Sequence, residues 1–317
     1  MKYLLVAVFF LLLFVGSFVF WHGKFRVDNL ARLSLDADQS ITLLFAGDIM
    51  LDRGVEYYIL KSQDWKWPFL KIADVLQQAD LVFANLESVI SDKGTKQGSI
   101  YSFRADPRTI EGLVFAGIDV VSVANNHSFD YGQEAFLDSI ERIKRAGIAP
   151  VGFNHEPVVI EVQNTKVGFL SYTEQGSPLW DNPNAPASVA WMDASRLSQL
   201  VEDVKAAKLA ADIVIVSFHF GEEYQLQPNE TQELLAKTAI GAGANLVVGH
   251  HPHVVQLVER YQHGWIAYSL GNFVFDQGFS KETMEGLLLK VVVQDKQITR
   301  VTPRTVQINN EFQPQLK

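Results

Sequence analysis

Eight apolar runs of strand length recur between residues 41 and 293: ITLLFAG (41–47), LVFAN (81–85), IDVVSVA (118–124), VGFLSY (167–172), IVIVSF (213–218), LVVG (246–249), WIAYSL (265–270) and LLLKVVV (287–293). A strand that is apolar at nearly every position must be covered on both faces. Between the runs the apolar spacing changes to three and four. Phe136, Leu137, Ile140 and Ile143 form a helical stripe within 132–146, and Gly147 can stop it. Leu197, Leu200, Val201, Val204 and Ala207 form a second stripe within 194–210. A third helix is expected over 228–240, capped by Asn229 and ended by Gly241. Strands covered on both faces and separated by helices define an α/β layered fold. The last two or three strands follow without long helices and are expected to be antiparallel. Residues 176–193, GSPLWDNPNAPASVAWMD, read as a long loop or flap inside one domain.

Residues 3–21 carry no charged side chain over nineteen positions. As a helix rising ~1.5 Å per residue, such a segment nearly spans a ~30 Å hydrocarbon core. The expectation is one uncleaved transmembrane helix; the alternative is a cleaved signal cut near Val15-Gly16-Ser17. Tyr3 and Trp21 sit where an aromatic belt would place them. Lys24, Arg26 and Arg32 follow the segment and Lys2 and the α-amine precede it, which argues against an N-in topology, but the charge rule alone does not settle the orientation. The resulting division is an anchor over 1–22, a tether over 23–40 and a single domain over 41–317. The chain has no cysteine, which excludes thiol catalysis, zinc–thiolate sites and disulfides. A net charge of −9 disfavours nucleic acid as a partner.

The apolar runs share a second property: six of them end in a short polar cluster. The clusters are Asp48 with Asp52 and Arg53; Asn85-Leu86-Glu87; Asn125-Asn126-His127 with Asp130; His219 with Glu222 and Glu223; His250-His251-Pro252-His253; and Asn272 with Asp276 and Gln277. In open α/β sheets ligands bind beyond the carboxyl ends of the strands, so parallel neighbours would bring these clusters to one site. Imidazole, carboxylate and amide oxygen together suit Zn, Mn, Fe or Ni better than an all-oxygen calcium cage. Taken singly, each cluster has a plainer reading. Asp48 could cap a turn, Asn125 and Asn126 could be turn residues, and His219 could be a satisfied buried histidine. His250 to His253 could be a proline turn. His22, His155 and His263 lie outside any such cluster and read as incidental.

With the clusters in this order, the sequence resembles the CapA family of poly-γ-glutamate capsule synthesis proteins, which share the fold of calcineurin-like metallophosphoesterases. The matching stretches are FAGDIMLDRG (45–54), ANLESVIS (84–91), FRADP (103–107), VSVANNHSFDYG (121–132), SFHFGEEY (217–224), VGHHPHVVQ (248–256) and YSLGNFVFDQ (268–277). The resemblance implies a metallophosphatase-like layered α/β sandwich after the anchor, and one or two divalent ions held by Asp48, Glu87, Asn126, His219, His250 and His253. It implies His127 as the acid/base, with Asp48 and Glu223 also catalytic. Asn85, Arg53, Arg104, His251 and Asn272 are the expected substrate contacts, with Arg108 a further basic candidate. Two positions depart from the superfamily pattern. Met50 stands where a histidine ligand is usual, and a thioether is a poor ligand for a hard dication. Asn85-Leu86-Glu87 replaces the bridging aspartate. The implied function is a single-pass, extracytoplasmic membrane protein acting in synthesis, export or attachment of an anionic envelope polymer, beside other capsule-synthesis membrane proteins. A general metal-dependent phosphoesterase and a non-enzymatic polymer-binding component are the alternatives.

Overall fold

Side chains alternate faces along a strand, and in the strand that begins at Ile41 both faces are buried. Leu43 and Phe45 enter a core shared between two sheets, while Leu44 and Ala46 enter a core shared with helices. The computed structural model describes residues 40–317. The anchor and all of the tether but Ser40 therefore lie outside the described residues. Among the described residues no helix is long and apolar enough to cross a membrane.

The chain runs β1 (Ile41–Ile49), α1 (Arg53–Ser62), α2 (Ala73–Leu76), β2 (Leu81–Leu86), β3 (Val89–Ile90), β4 (Arg104–Ala105), α3 (Ile110–Ala116), β5 (Val120–Ser122), α4 (Gly132–Arg145) and β6 (Ala149–Val151). It continues through β7 (Val158–Val162), β8 (Thr165–Thr173), α5 (Leu197–Ala210), β9 (Ile213–His219), α6 (Glu230–Ala242), β10 (Leu246–His250), β11 (Val258–Tyr261) and β12 (Gly264–Ala267). It closes with β13 (Asn272–Val274), β14 (Glu285–Gln294), β15 (Gln297–Ile308) and β16 (Pro314–Leu316).

One sheet has the order β16-β15-β14-β1-β2-β5-β6, with β13 pairing β1 off that path. Its β1, β2, β5 and β6 are parallel and β14 to β16 are antiparallel; of the runs expected to be antiparallel, 287–293 is so as β14, whereas 265–270 pairs parallel to β10 as β12. The other sheet has the order β11-β12-β10-β9-β8-β7, parallel from β12 through β8. Helices α1 to α4 cover the outer face of the first sheet and α5 and α6 that of the second, giving four layers. Between the sheets the rings of Phe83 and Phe169 stack with centroids 5.7 Å apart.

Several boundaries shift from expectation. Helix α6 runs through Gly241 and ends at Gly243, whose φ of 122° closes it, while Asn229 and Gln232 form the capping box at its start. The strand expected over 118–124 narrows to Val120–Ser122. Residues 176–193 are irregular apart from one 3-10 turn at Pro178–Trp180. They are not a free flap, because Ala187, Val189, Ala190 and Met192 are buried and Trp180 sits edge-on to Phe129.

Candidate functional site

The parallel strands bring their carboxyl ends to one edge of the two sheets. Gly47 and Gly249 immediately precede the two site residues Asp48 and His250, and their lack of a side chain has a local cause. A Cβ on Gly47 would stand 1.9 Å from the Gly271 carbonyl oxygen, and one on Gly249 equally close to that of Tyr268. The segment 268–272 passes against both strand ends, where Gly271 O accepts from Asp48 N–H at 3.0 Å and Leu270 N–H donates to Gly249 O at 3.0 Å. This crossing draws the end of β1 towards the end of β10.

Asp48 stands at the centre of the resulting ring. Its Oδ1 accepts from Asn85 Nδ2 at 2.9 Å and lies 3.0 Å from His250 Nδ1. Its Oδ2 accepts the His251 N–H at 3.3 Å and lies 3.4 Å from His253 Nδ1. Glu87 Oε1 is 3.6 Å from His253 Nε2 and 3.7 Å from His127 Nε2. Asn126 Oδ1 is 2.8 Å from His219 Nε2, and Asn126 Nδ2 is 3.1 Å from His127 Nε2. On its far side His127 Nδ1 lies 2.7 Å from Asp130 Oδ2. This pattern puts the His127 proton on Nδ1 and leaves Nε2 facing the ring.

Burial acts on four titrating groups here, Asp48, Glu87, His219 and His251. It opposes the charge on Asp48, but the hydrogen-bonded imidazoles of His250 and His253 outweigh it and hold the carboxyl well below the usual range. Burial pushes Glu87 well up, reinforced by the negative charges of Asp48, Glu223 and Asp130. It pushes His219 well down, with His251 adding to the effect. It brings His251 down to about 3, with help from His253. Three buried polar atoms, Glu87 Oε1, His250 Nε2 and His251 Nδ1, have no hydrogen-bond partner. Each orphan costs ~1–3 kcal/mol in a folded core. Unpartnered carboxylate and imidazole atoms at a buried centre fit a dication. One ligand atom each from Asp48, Glu87 and His219 lies within 4.8 Å of the others. The backbone at the site is also strained, since His251 and His253 have φ of 97° and 58°, conformations that cost ~1–3 kcal/mol each outside glycine.

The ring opens into a cleft of about 470 Å³ whose walls include Arg53, His127, Glu223 and His253. Arg53 enters it paired with Asp276 at 2.8 Å and lies over the Phe103 ring. The other expected substrate contacts are placed differently. Asn85 is fully buried, and its amide links Asp48, Glu87 and His219. Asn272 is fully buried too, and its Oδ1 holds His253 Nδ1 at 3.0 Å. The Arg104 guanidinium donates to the carbonyls of Lys93 and Gly94 over the Tyr131 ring, away from the cleft lining. His251 is buried among its neighbours, its ring 4.8 Å from that of His219. Met50 contributes nothing to the ring: it lies in the hydrophobic core, and its sulfur accepts the Asp52 N–H at 3.1 Å.

Three members of the strand-end clusters act as supports, a role their sequence positions did not assign. Asp130 holds His127, and the three-residue spacing between them is the signal that could have marked it. Asn125 ties the turn to β2 by donating to Leu86 O and accepting the His127 N–H. Asp276 positions Arg53. His155 is not incidental either. Its Nε2 is 3.0 Å from Asp181 Oδ1 and its Nδ1 is 3.1 Å from Asp203 Oδ2, with Arg196 also on Asp181 and the Tyr172 hydroxyl on Asp203. This cluster ties the loop of residues 176–193 to α5.

Fold and site together define a two-sheet α/β protein with a buried histidine–carboxylate centre that suits a divalent metal. The family described as Bacterial capsule synthesis protein PGA_cap matches residues 42–277, and the chain belongs to that family. It is 32% identical to the capsule biosynthesis protein CapA of Bacillus anthracis over 295 residues, covering 89% of this chain and 71% of that protein. It is 30% identical to the PGA biosynthesis protein CapA of Bacillus subtilis (strain 168) over 281 residues, covering 85% of this chain and 72% of that protein. The crystal structure of a hypothetical protein from Thermus thermophilus superposes with a TM-score of 0.53 at 18% identity, covering 84% of this chain and 99% of that one. That likeness speaks to the fold alone.

Proposed function

We propose that this chain is a membrane-anchored, extracytoplasmic protein acting in the synthesis, export or attachment of an anionic capsular polymer of the poly-γ-glutamate type. In this reading residues 41–317 are a metallophosphatase-like sandwich with a metal-assisted hydrolase or transfer site. The single observation that carries the chemistry is that one ligand atom each from Asp48, Glu87 and His219, all buried, lies within 4.8 Å of the others, with Glu87 Oε1 left unpartnered. Asp48, Glu87, Asn126, His219, His250 and His253 would hold the ion. Once bound, it supplies Lewis acidity towards an amide, carboxylate or phosphate oxygen and acidifies a water. His127 exchanges a proton at Nε2 while Asp130 fixes its other nitrogen. Arg53 offers an anionic chain a cation at the cleft, tempered by Asp276. The uncharged segment 3–21 is the basis for the anchor. The test combines metal counting on the reloaded protein with polymer output from a deletion strain complemented by His219→Ala. Absence of any stoichiometric transition metal would sink the metal-assisted part of the reading. A non-enzymatic, polymer-binding role is the second reading, and the burial of Met50 away from the ring is what favours it. In that case His219→Ala leaves polymer output at the wild-type level.

A further inference from the structure

We propose that the cleft recognises the free amino end of a γ-linked polyanion, with Glu223 receiving the terminal α-ammonium and Arg53 the α-carboxylate beside it. The proposal deepens the polymer reading above and rests on it. The side chains with a full charge on the cleft lining are Arg53, Glu223 and Asp276. Arg53 is already met by Asp276, from Nε to Oδ2 at 3.1 Å and from a second nitrogen to Oδ1 at 2.8 Å. Among the described residues no lysine, arginine or histidine pairs with Glu223. With the imidazoles neutral, the lining therefore carries one uncompensated negative charge.

A carboxylate on the wall of a cleft repels a polyanion at its repeat units and attracts it only where the chain carries a cation. In glutamate joined through the γ-carboxyl, every internal unit carries an α-carboxylate and an amide. The amino-terminal unit alone carries an ammonium. Because the linkage uses the γ-carboxyl, that unit keeps its α-carboxylate as well. Glu223 and the outward N–H groups of Arg53 match this pair of charges.

The rings beside Glu223 are a second, independent observation. Tyr224 and Phe279 are exposed, line the cleft and meet edge to face with centroids 5.1 Å apart, and exposed Tyr101 lines it too. Exposed aromatic rings gathered at one opening mark a recognition surface, and ring faces attract ammonium groups. The loop that carries Glu223 is held on both sides. Gly221 O accepts from Gln175 Nε2 at 2.9 Å. Tyr224, left-handed with φ of 65°, donates its N–H to Pro252 O at 2.8 Å. Such preorganisation lowers the entropic cost of binding. His127 lines the same cleft, so end recognition sets the amino-terminal unit, and not an internal one, beside the proton-exchanging imidazole.

The test is isothermal titration of the full-length protein in detergent with two synthetic γ-linked glutamate oligomers of equal length, one with a free amino end and one N-acetylated. The wild type should bind the free form at least ~10-fold more tightly, the worth of one charge-assisted hydrogen bond. Glu223→Gln should lower the free form to the affinity of the acetylated one and leave the acetylated one unchanged. Because Glu223 is exposed, this variant keeps the fold, which circular dichroism checks. Equal binding of the two oligomers by the wild type overturns the amino-end subsite and leaves the polymer reading standing. Unchanged discrimination in Glu223→Gln, or an equal loss of both forms, overturns the role given to Glu223. A wild type that binds neither oligomer overturns the polymer reading, and the subsite with it.

Discussion

Replacing His155 with glutamine isolates one ionic contribution to stability. Burial alone would lower this imidazole, but hydrogen bonds to Asp181 and Asp203 and their charges hold it up at about 9 against an ordinary 6.5. A group whose folded pKa is raised stabilises the fold fully below its unfolded pKa and loses that contribution as pH climbs through the folded one. The loss therefore falls between 6.5 and about 9. That gap corresponds to ~3 kcal/mol at ~1.4 kcal/mol per pH unit. The imidazole is 21% exposed, and solvent screening reduces the usable share to ~1–2 kcal/mol. Other buried groups held up by burial, Glu87 and Glu174 among them, are common to the wild type and the variant and cancel in the comparison. His219 and His251 are pushed down, so their contribution is constant once the unfolded histidines are neutral. Melting temperatures at about pH 7 and about pH 9.5 should thus differ in the wild type by ~2–6 °C from this group, given the usual conversion for a domain of this size. His155→Gln should melt lower at about pH 7 and converge with the wild type at about pH 9.5. An unchanged pH slope in the variant would refute the argument.

Two further outcomes follow from packing and from the site. Phe83→Ala removes a fully buried ring stacked on Phe169 between the sheets, and should lower unfolding free energy by ~3–5 kcal/mol; a urea titration giving less than ~1 kcal/mol would contradict the inter-sheet role. Asp130→Asn withdraws the carboxylate 2.7 Å from His127 Nδ1, and should cut polymer output at least ~10-fold with circular dichroism unchanged, in line with the ~10²–10⁴-fold worth of a positioned acid/base; wild-type output would remove His127 from the chemistry.

Much of the fold was legible because burial leaves a local trace. The run at 213–218 became Ile213–His219, that at 246–249 became Leu246–His250, and the stripe in 132–146 became Gly132–Arg145. Each is a period read over a few neighbouring residues. The gathering of Asp48, Glu87, Asn126, His219, His250 and His253 was legible for the same reason: each sits on or just beyond a strand end, and parallel strands finish on one edge.

What each side chain does there was not legible, because its partners lie far along the chain. Asp48 and His250 are 202 residues apart, and Arg53 and Asp276 are 223 apart. Asn85, Asn272 and Arg104 have the composition of substrate contacts, yet two are buried as supports and the third is turned onto backbone carbonyls. His155 looked isolated until the loop of residues 176–193 and α5 brought two aspartates to its ring nitrogens. The sequence by itself determined the layers and the edge where polar residues collect. Only the tertiary structure decided which atoms remain unpaired there, since hydrogen-bond satisfaction depends on every neighbour within about 3.5 Å and not on the order of residues along the chain.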